Sequence, residues 1–180
     1  MGSAFVFDPD ASYRRVDAIR EANEMPEGAH LVASVTGPWK IVSIVDYDGL
    51  SLLPGRVEGL AGQGGGSGDP ETATVIGGQS KVKRSKYANE MAFVRIQVRG
   101  DADPMGLLDE VAAKIDSDEV DAVVGDFDIL ACAVADDETK LATKILAVRA
   151  IGGIKRTTSL RVIDFVSESP DAPDGHRIPA

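Results

Sequence analysis

The chain repeats itself at a fixed spacing. Ala4-Phe5-Val6 returns as Ala92-Phe93-Val94, and the same 88 positions (92 less 4) carry Gly37 onto Gly125, Trp39 onto Phe127, Ile41 onto Ile129, Leu53 onto Leu141 and Gly64-Gly65 onto Gly152-Gly153. Identity between the halves is otherwise low. An ordered run of turn glycine, aromatic residue, helix residue and terminal glycines at one spacing nevertheless marks a duplication. Each half reads strand, helix, strand, strand, helix, strand. A split βαββαβ unit of this size folds as a four-stranded antiparallel sheet with two helices on one face. The expected class is therefore α+β, as two tandem ferredoxin-like modules of the dimeric α/β-barrel type. The strands Val120 to Val124 and Ile129 to Val134 are apolar on both sides of their alternation, so the second sheet face needs cover. That predicts sheets paired within the chain or between chains.

Along the chain, Phe5 to Phe7 is β-prone and stops at Asp8-Pro9-Asp10. The spacing of Val16, Ile19 and Ala22 predicts an amphipathic helix over 13–25, ended by Pro26-Glu27-Gly28. Ala29 to Val35 and Trp39 to Val45 read as a hairpin around Gly37-Pro38. Leu50, Leu53, Val57 and Leu60 predict a second helix that Pro54-Gly55 should kink or shorten. Gly62 to Pro70 is a glycine-rich loop without the Lys-Ser/Thr of a Walker loop or the strand-loop-helix setting of a dinucleotide site. Thr72 to Ile76 is β-prone, and residues 79–90, with Lys81, Lys83, Arg84 and Lys86, form a basic linker. In the second half, Phe93 to Val98 is a strand and Asp103-Pro104 starts a helix through Met105, Leu108, Val111 and Ile115. The hairpin arms follow, then a helix capped by Asp136 or Asp137 and ended at Gly152-Gly153, then a last strand over 160–166. The expected organisation is a degenerate module over 1–78, the linker, a second module over 91–166 and a loose tail over 167–180.

With 180 residues, 43% hydrophobic and 27% charged, the chain can bury a core without staples, and no apolar run reaches the length of a membrane helix. Met1-Gly2-Ser3 lacks the features of a signal peptide, so a cytoplasmic protein with no membrane role is expected. A net charge of −10 repels polyphosphate, and direct nucleic-acid binding is not expected. The single cysteine, Cys132, lies in an apolar run and reads as a small buried hydrophobe. His30 and His176 are the only histidines, and no His/Cys/carboxylate cluster has metal spacing.

The densest chemistry is the turn Gly125-Asp126-Phe127-Asp128, followed downstream by Lys155-Arg156-Thr157-Thr158-Ser159. These segments are similar to the Gly-x-Tyr-Asp and Arg-Thr-x-Thr segments of the Lrp/AsnC family's ligand-binding domain, that for regulation of amino acid metabolism. The resemblance covers about 91–166 and more thinly 3–78, where Lys40 stands in place of Asp128 and Gly68-Asp69-Pro70-Glu71 in place of the Arg-Thr region. The helix-turn-helix that precedes the family's domain is missing, and Pro54-Gly55 breaks the one segment that superficially suggests a recognition helix.

The resemblance implies a non-enzymatic module that binds a small amino-acid-like effector, oligomerises with itself or pairs with a related regulator, and carries no cofactor or metal. The ligand residues it implies are Gly125, Asp126, Phe127, Asp128, Thr157, Thr158 and Ser159, with the aspartates facing an ammonium and the hydroxyls and turn amides a carboxylate. The first half would supply only a wall. Two other readings stay open: a small enzyme of the dimeric α/β-barrel class, monooxygenase or isomerase-like, and a purely structural assembly protein.

Overall fold

The computed structural model describes residues 2–62, 70–78, 90–116, 119–168 and 176–177. The glycine-rich loop, the basic stretch before Glu90 and most of the tail lie outside these residues. The fold is α+β, with eight strands joined in an antiparallel sheet and four α-helices among the described residues. Among the described residues no helix is long and apolar enough to cross a membrane. The chain divides into two compact units, 1–74 with 162–180, and 75–161.

In the first unit β1 (Gly2–Asp8) is central, pairing with β3 (Ile41–Tyr47) along its whole length and with β4 (Glu71–Gly78) from Ala4 to Phe7. β2 (Ala29–Val35) lies on the other side of β3 and pairs with the last residues of β8 (Ile154–Ser167). Helix α1 (Arg15–Ala22) is shorter than its apolar spacing predicts. Asn23 adopts the left-handed conformation (φ 53°) and returns its N–H to Arg20 O, which ends the helix at Ala22, short of Met25. Pro54 does not break the second helix. A 3-10 turn over Leu50–Leu52 leads into α2 (Leu53–Gly62), so proline falls in the first turn, where its missing N–H has no intrahelical partner to lose. Val16 and Ile19 of α1 and Leu60 of α2 pack with Ala4, Val6, Val32, Ile41 and Val45 from the strands.

The second unit has the same element order. β5 (Glu90–Val98) is central, between β7 (Ile129–Ala135) and the first half of β8, and β6 (Val120–Val124) lies beyond β7. Asp103 caps α3 (Pro104–Ile115) by accepting from Met105 N, with proline at the first helical position. Asp137 caps α4 (Glu138–Arg149) by accepting from Lys140 N. Both helices bury their apolar stripes on one sheet face, against Val94, Ile96, Val120, Ala122, Ile129 and Ala131. The opposite face is buried as well: Phe93, Leu130, Cys132 and Leu160 are all closed to solvent.

The spacing of 88 holds atom for atom in the two hairpins. Val35 N–H donates to Lys40 O and Lys40 N–H to Asp8 O; 88 residues on, Val123 N–H donates to Asp128 O and Asp128 N–H to Ile96 O, every one at 2.9 Å. The aromatic pairs follow. Phe7 meets Trp39 edge-on with centroids 5.9 Å apart, and at the matching positions the Arg95 guanidinium lies 4.3 Å above the Phe127 ring.

Candidate functional site

The turn Gly125 to Asp128 is held from below by β5. Asp128 Oδ2 accepts from Val98 N at 2.8 Å, and Asp126 O accepts from Gln97 Nε2 at 2.9 Å. Gly125 and Asp126 are exposed, while Phe127 is only 3% exposed beneath Arg95. The Asp128 carboxylate thus serves the backbone of a neighbouring strand. Asp128→Ala leaves the Val98 N–H without its acceptor and should cost about 1–3 kcal/mol in chemical denaturation, whatever ligand is present. Asp126→Ala should stay within about 0.5 kcal/mol, as for an exposed position.

The three hydroxyls do not converge. β8 begins at Ile154, six residues before the expected start, so Thr157, Thr158 and Ser159 lie inside a strand and alternate between its faces. Thr157 pairs with Ile96 and Ser159 with Val94, residues of the helix-covered face, whereas Thr158 pairs with Arg95 on the other. The sequence-derived set therefore splits: Phe127 and Thr158 come to Arg95, Asp128 is turned to Val98 N, and Thr157 and Ser159 lie on the helix side.

On the face opposite the helices, the register lines up Thr158, Arg95, Leu130 and Asp121 across four strands. Arg95 and Asp121 are buried, 7% and 8% exposed. Asp121 Oδ1 is enclosed and has no hydrogen-bond partner among the described residues. Burial, with a smaller contribution from the Glu119 charge, pushes its carboxyl up from 3.8 to about 6. Sequence reasoning passed over both residues because each sits in a strand otherwise apolar. That setting was itself the available signal, since a polar residue inside a buried strand is the informative exception. Among the described residues, no group of three or more His, Cys, Asp or Glu is gathered as a metal site would require.

No family model matches the chain, and no curated protein matches its sequence. Its structure is similar to that of the "Putative Chlorite dismutase TA0507", with TM-score 0.55 and 12% identity over 89% of this chain and 93% of that one. A weaker likeness, TM-score 0.49 with 13% identity over 91% of each chain, is to a haem-binding protein from Thermus thermophilus. The likeness is one of fold. It corrects the Lrp/AsnC resemblance, which rested on two short segments and which no family model supports. The expectation of a transcription-linked, amino-acid-binding, non-enzymatic module falls with it, since the structure matched across most of its length carries the name of an enzyme.

Proposed function

We propose that this chain is an enzyme built from two tandem ferredoxin-like modules, in which Asp121 transfers a proton to or from a small, largely apolar substrate. The modular reading is supported by the repeated hairpin bonding at 88 residues and by the common strand orders β4-β1-β3-β2 and β8-β5-β7-β6. The catalytic reading is carried by one observation: among the described residues the buried carboxyl of Asp121 has an unspent acceptor, and burial raises its pKa to about 6. A carboxyl in that state is poised as a general base or acid, a role worth on the order of 10² to 10⁴ in rate. Its neighbours on that face, Leu130 and Val123, are apolar and buried.

Histidine or cysteine ligation of the haem named for the Thermus thermophilus protein finds no donor in the core of either unit, where Tyr47 of the first unit is the aromatic hydroxyl among the described core residues. An iron porphyrin needs an axial His, Cys, Tyr or Met donor beside an apolar slot. The core between helices and sheet in the second unit consists of Ala, Val, Ile and Leu, which offer no donor atom. Both imidazoles are in the first unit, and neither belongs to its core. His30 Nδ1 is 3.3 Å from Asp46 Oδ2; His176 Nδ1 is 2.9 Å from Phe165 O, with its ring stacked on Phe165. Cys132 lies on the face opposite the helices, paired with Phe93. No step of the proposed chemistry passes through haem.

Two measurements test the proposal. Titration with haemin should give no saturable Soret band, and a one-to-one complex would overturn the haem-free reading. Solvent-deuterium exchange into small apolar ketones and oxo-acids, followed by NMR at pH 7.5, should be accelerated by the wild-type protein and fall by roughly 10²-fold or more in Asp121→Asn. Equal acceleration by the variant removes Asp121 from the reaction.

A further inference from the structure

Arg15, the first residue of α1, has a side chain only 3% exposed. Among the described residues its guanidinium makes a single long contact, from Nη1 to Asp8 Oδ2 at 3.4 Å. Nε and Nη2 are both enclosed and have no partner among the described residues. These two groups share one edge of the planar guanidinium, and their N–H bonds point the same way. That edge is the fork that meets two oxygens of one carboxylate, nitrate or phosphate.

Asp8 leaves that fork empty. Its Oδ1 accepts from the amides of Asp10 and Ala11, at 3.0 and 2.9 Å, which turns the carboxylate toward the loop and leaves only Oδ2 for Arg15. Burial lowers the Arg15 pKa, and the Asp8 charge only partly opposes this. A cation taken out of water against one 3.4 Å contact is under-compensated, because the desolvation of a buried ion is offset only by good geometry and further hydrogen bonds.

The repeat shows what is missing. Position 15 corresponds to Asp103, whose carboxylate caps the start of α3. The start of α1 has no side-chain cap hydrogen bond, and its first-turn acid, Asp17, is paired with Arg20 at 3.0 Å, so that helix start lacks the capping carboxylate of its counterpart. The first unit places a cation with an open fork where the second places a carboxylate.

We propose that the Nε–Nη2 edge of Arg15 is a binding site for a small oxyanion of the carboxylate or nitrate class, which supplies at the start of α1 the charge that Asp103 supplies at the start of α3. The site belongs to the first unit and does not depend on the role of Asp121.

The test uses the full chain and sodium formate, exchanged for sodium chloride at constant ionic strength. In protein labelled with ¹⁵N-arginine, the Arg15 Nε–H signal, assigned through its backbone, should shift saturably by about 100 mM formate, a concentration that fills a millimolar site and raises the unfolding temperature by mass action. Arg15→Lys keeps the charge and deletes the fork, so the formate-dependent rise should vanish in it and persist in Arg56→Lys. An Arg15 signal that formate does not move, or an equal rise in Arg15→Lys, overturns the proposal. If Arg15→Lys does not fold, the wild-type Arg15 signal decides alone.

Discussion

Asp121→Asn is expected to stabilise the protein at pH 8 and to leave its stability unchanged below about pH 4. In the folded chain the carboxyl titrates near 6 against an ordinary 3.8, so the folded state prefers the protonated form. That preference contributes stability in full below the unfolded value and is lost as pH rises through the folded one. Above pH 7 the ionised, enclosed carboxylate is a standing penalty of about 3 kcal/mol, at 1.36 kcal/mol per pH unit. Asparagine carries no such charge. The difference between variant and wild type, read by urea unfolding across pH 4 to 8, should therefore climb from near zero to about that value. A flat difference would mean that Asp121 is hydrated and unfit for the proposed proton transfer. Gain of stability with loss of activity is the expected pattern for a strained catalytic group.

Ile115→Ala should cost about 2–5 kcal/mol, the range for emptying a closed aliphatic site, while Met105→Ala should change stability by less than about 0.5 kcal/mol. Both residues stand on the apolar stripe that announced α3, and periodicity treats them alike. Ile115 is fully enclosed in the second unit's core, whereas Met105 is 50% exposed at the first turn of the helix. Equal losses in thermal unfolding would contradict that packing.

The same contrast marks what the sequence discloses. Element type and order were readable because the apolar spacing, the Asp103-Pro104 start and the Asp137 cap act through local chemistry, and the structure holds them. Boundaries were less so. Asn23 in the left-handed region and Pro54 in a first turn are decided by where the helix begins or stops, which apolar spacing does not encode. The candidate site was read least well. Three consecutive hydroxyls look like a cluster on paper, but a strand sends neighbours to opposite faces, and nothing local announced that β8 begins at Ile154. Asp121 and Arg95 meet on one face only through the registers of β5, β6 and β7, which pair residues dozens of positions apart.

The matched hairpins carry a consequence for how such a chain can change. Both turns share the same main-chain bonds, from Val35 to Lys40 to Asp8 and from Val123 to Asp128 to Ile96, to which the second adds the side-chain bonds of Asp128 and Gln97. Main-chain bonds are blind to side-chain identity. The two mounts share that bonding and are fitted differently, an edge-on aromatic pair in one and a cation over a ring in the other. Such a frame lets one copy be refitted while the other keeps its register, so new chemistry can be tried at a hairpin tip with the sheet beneath it already built.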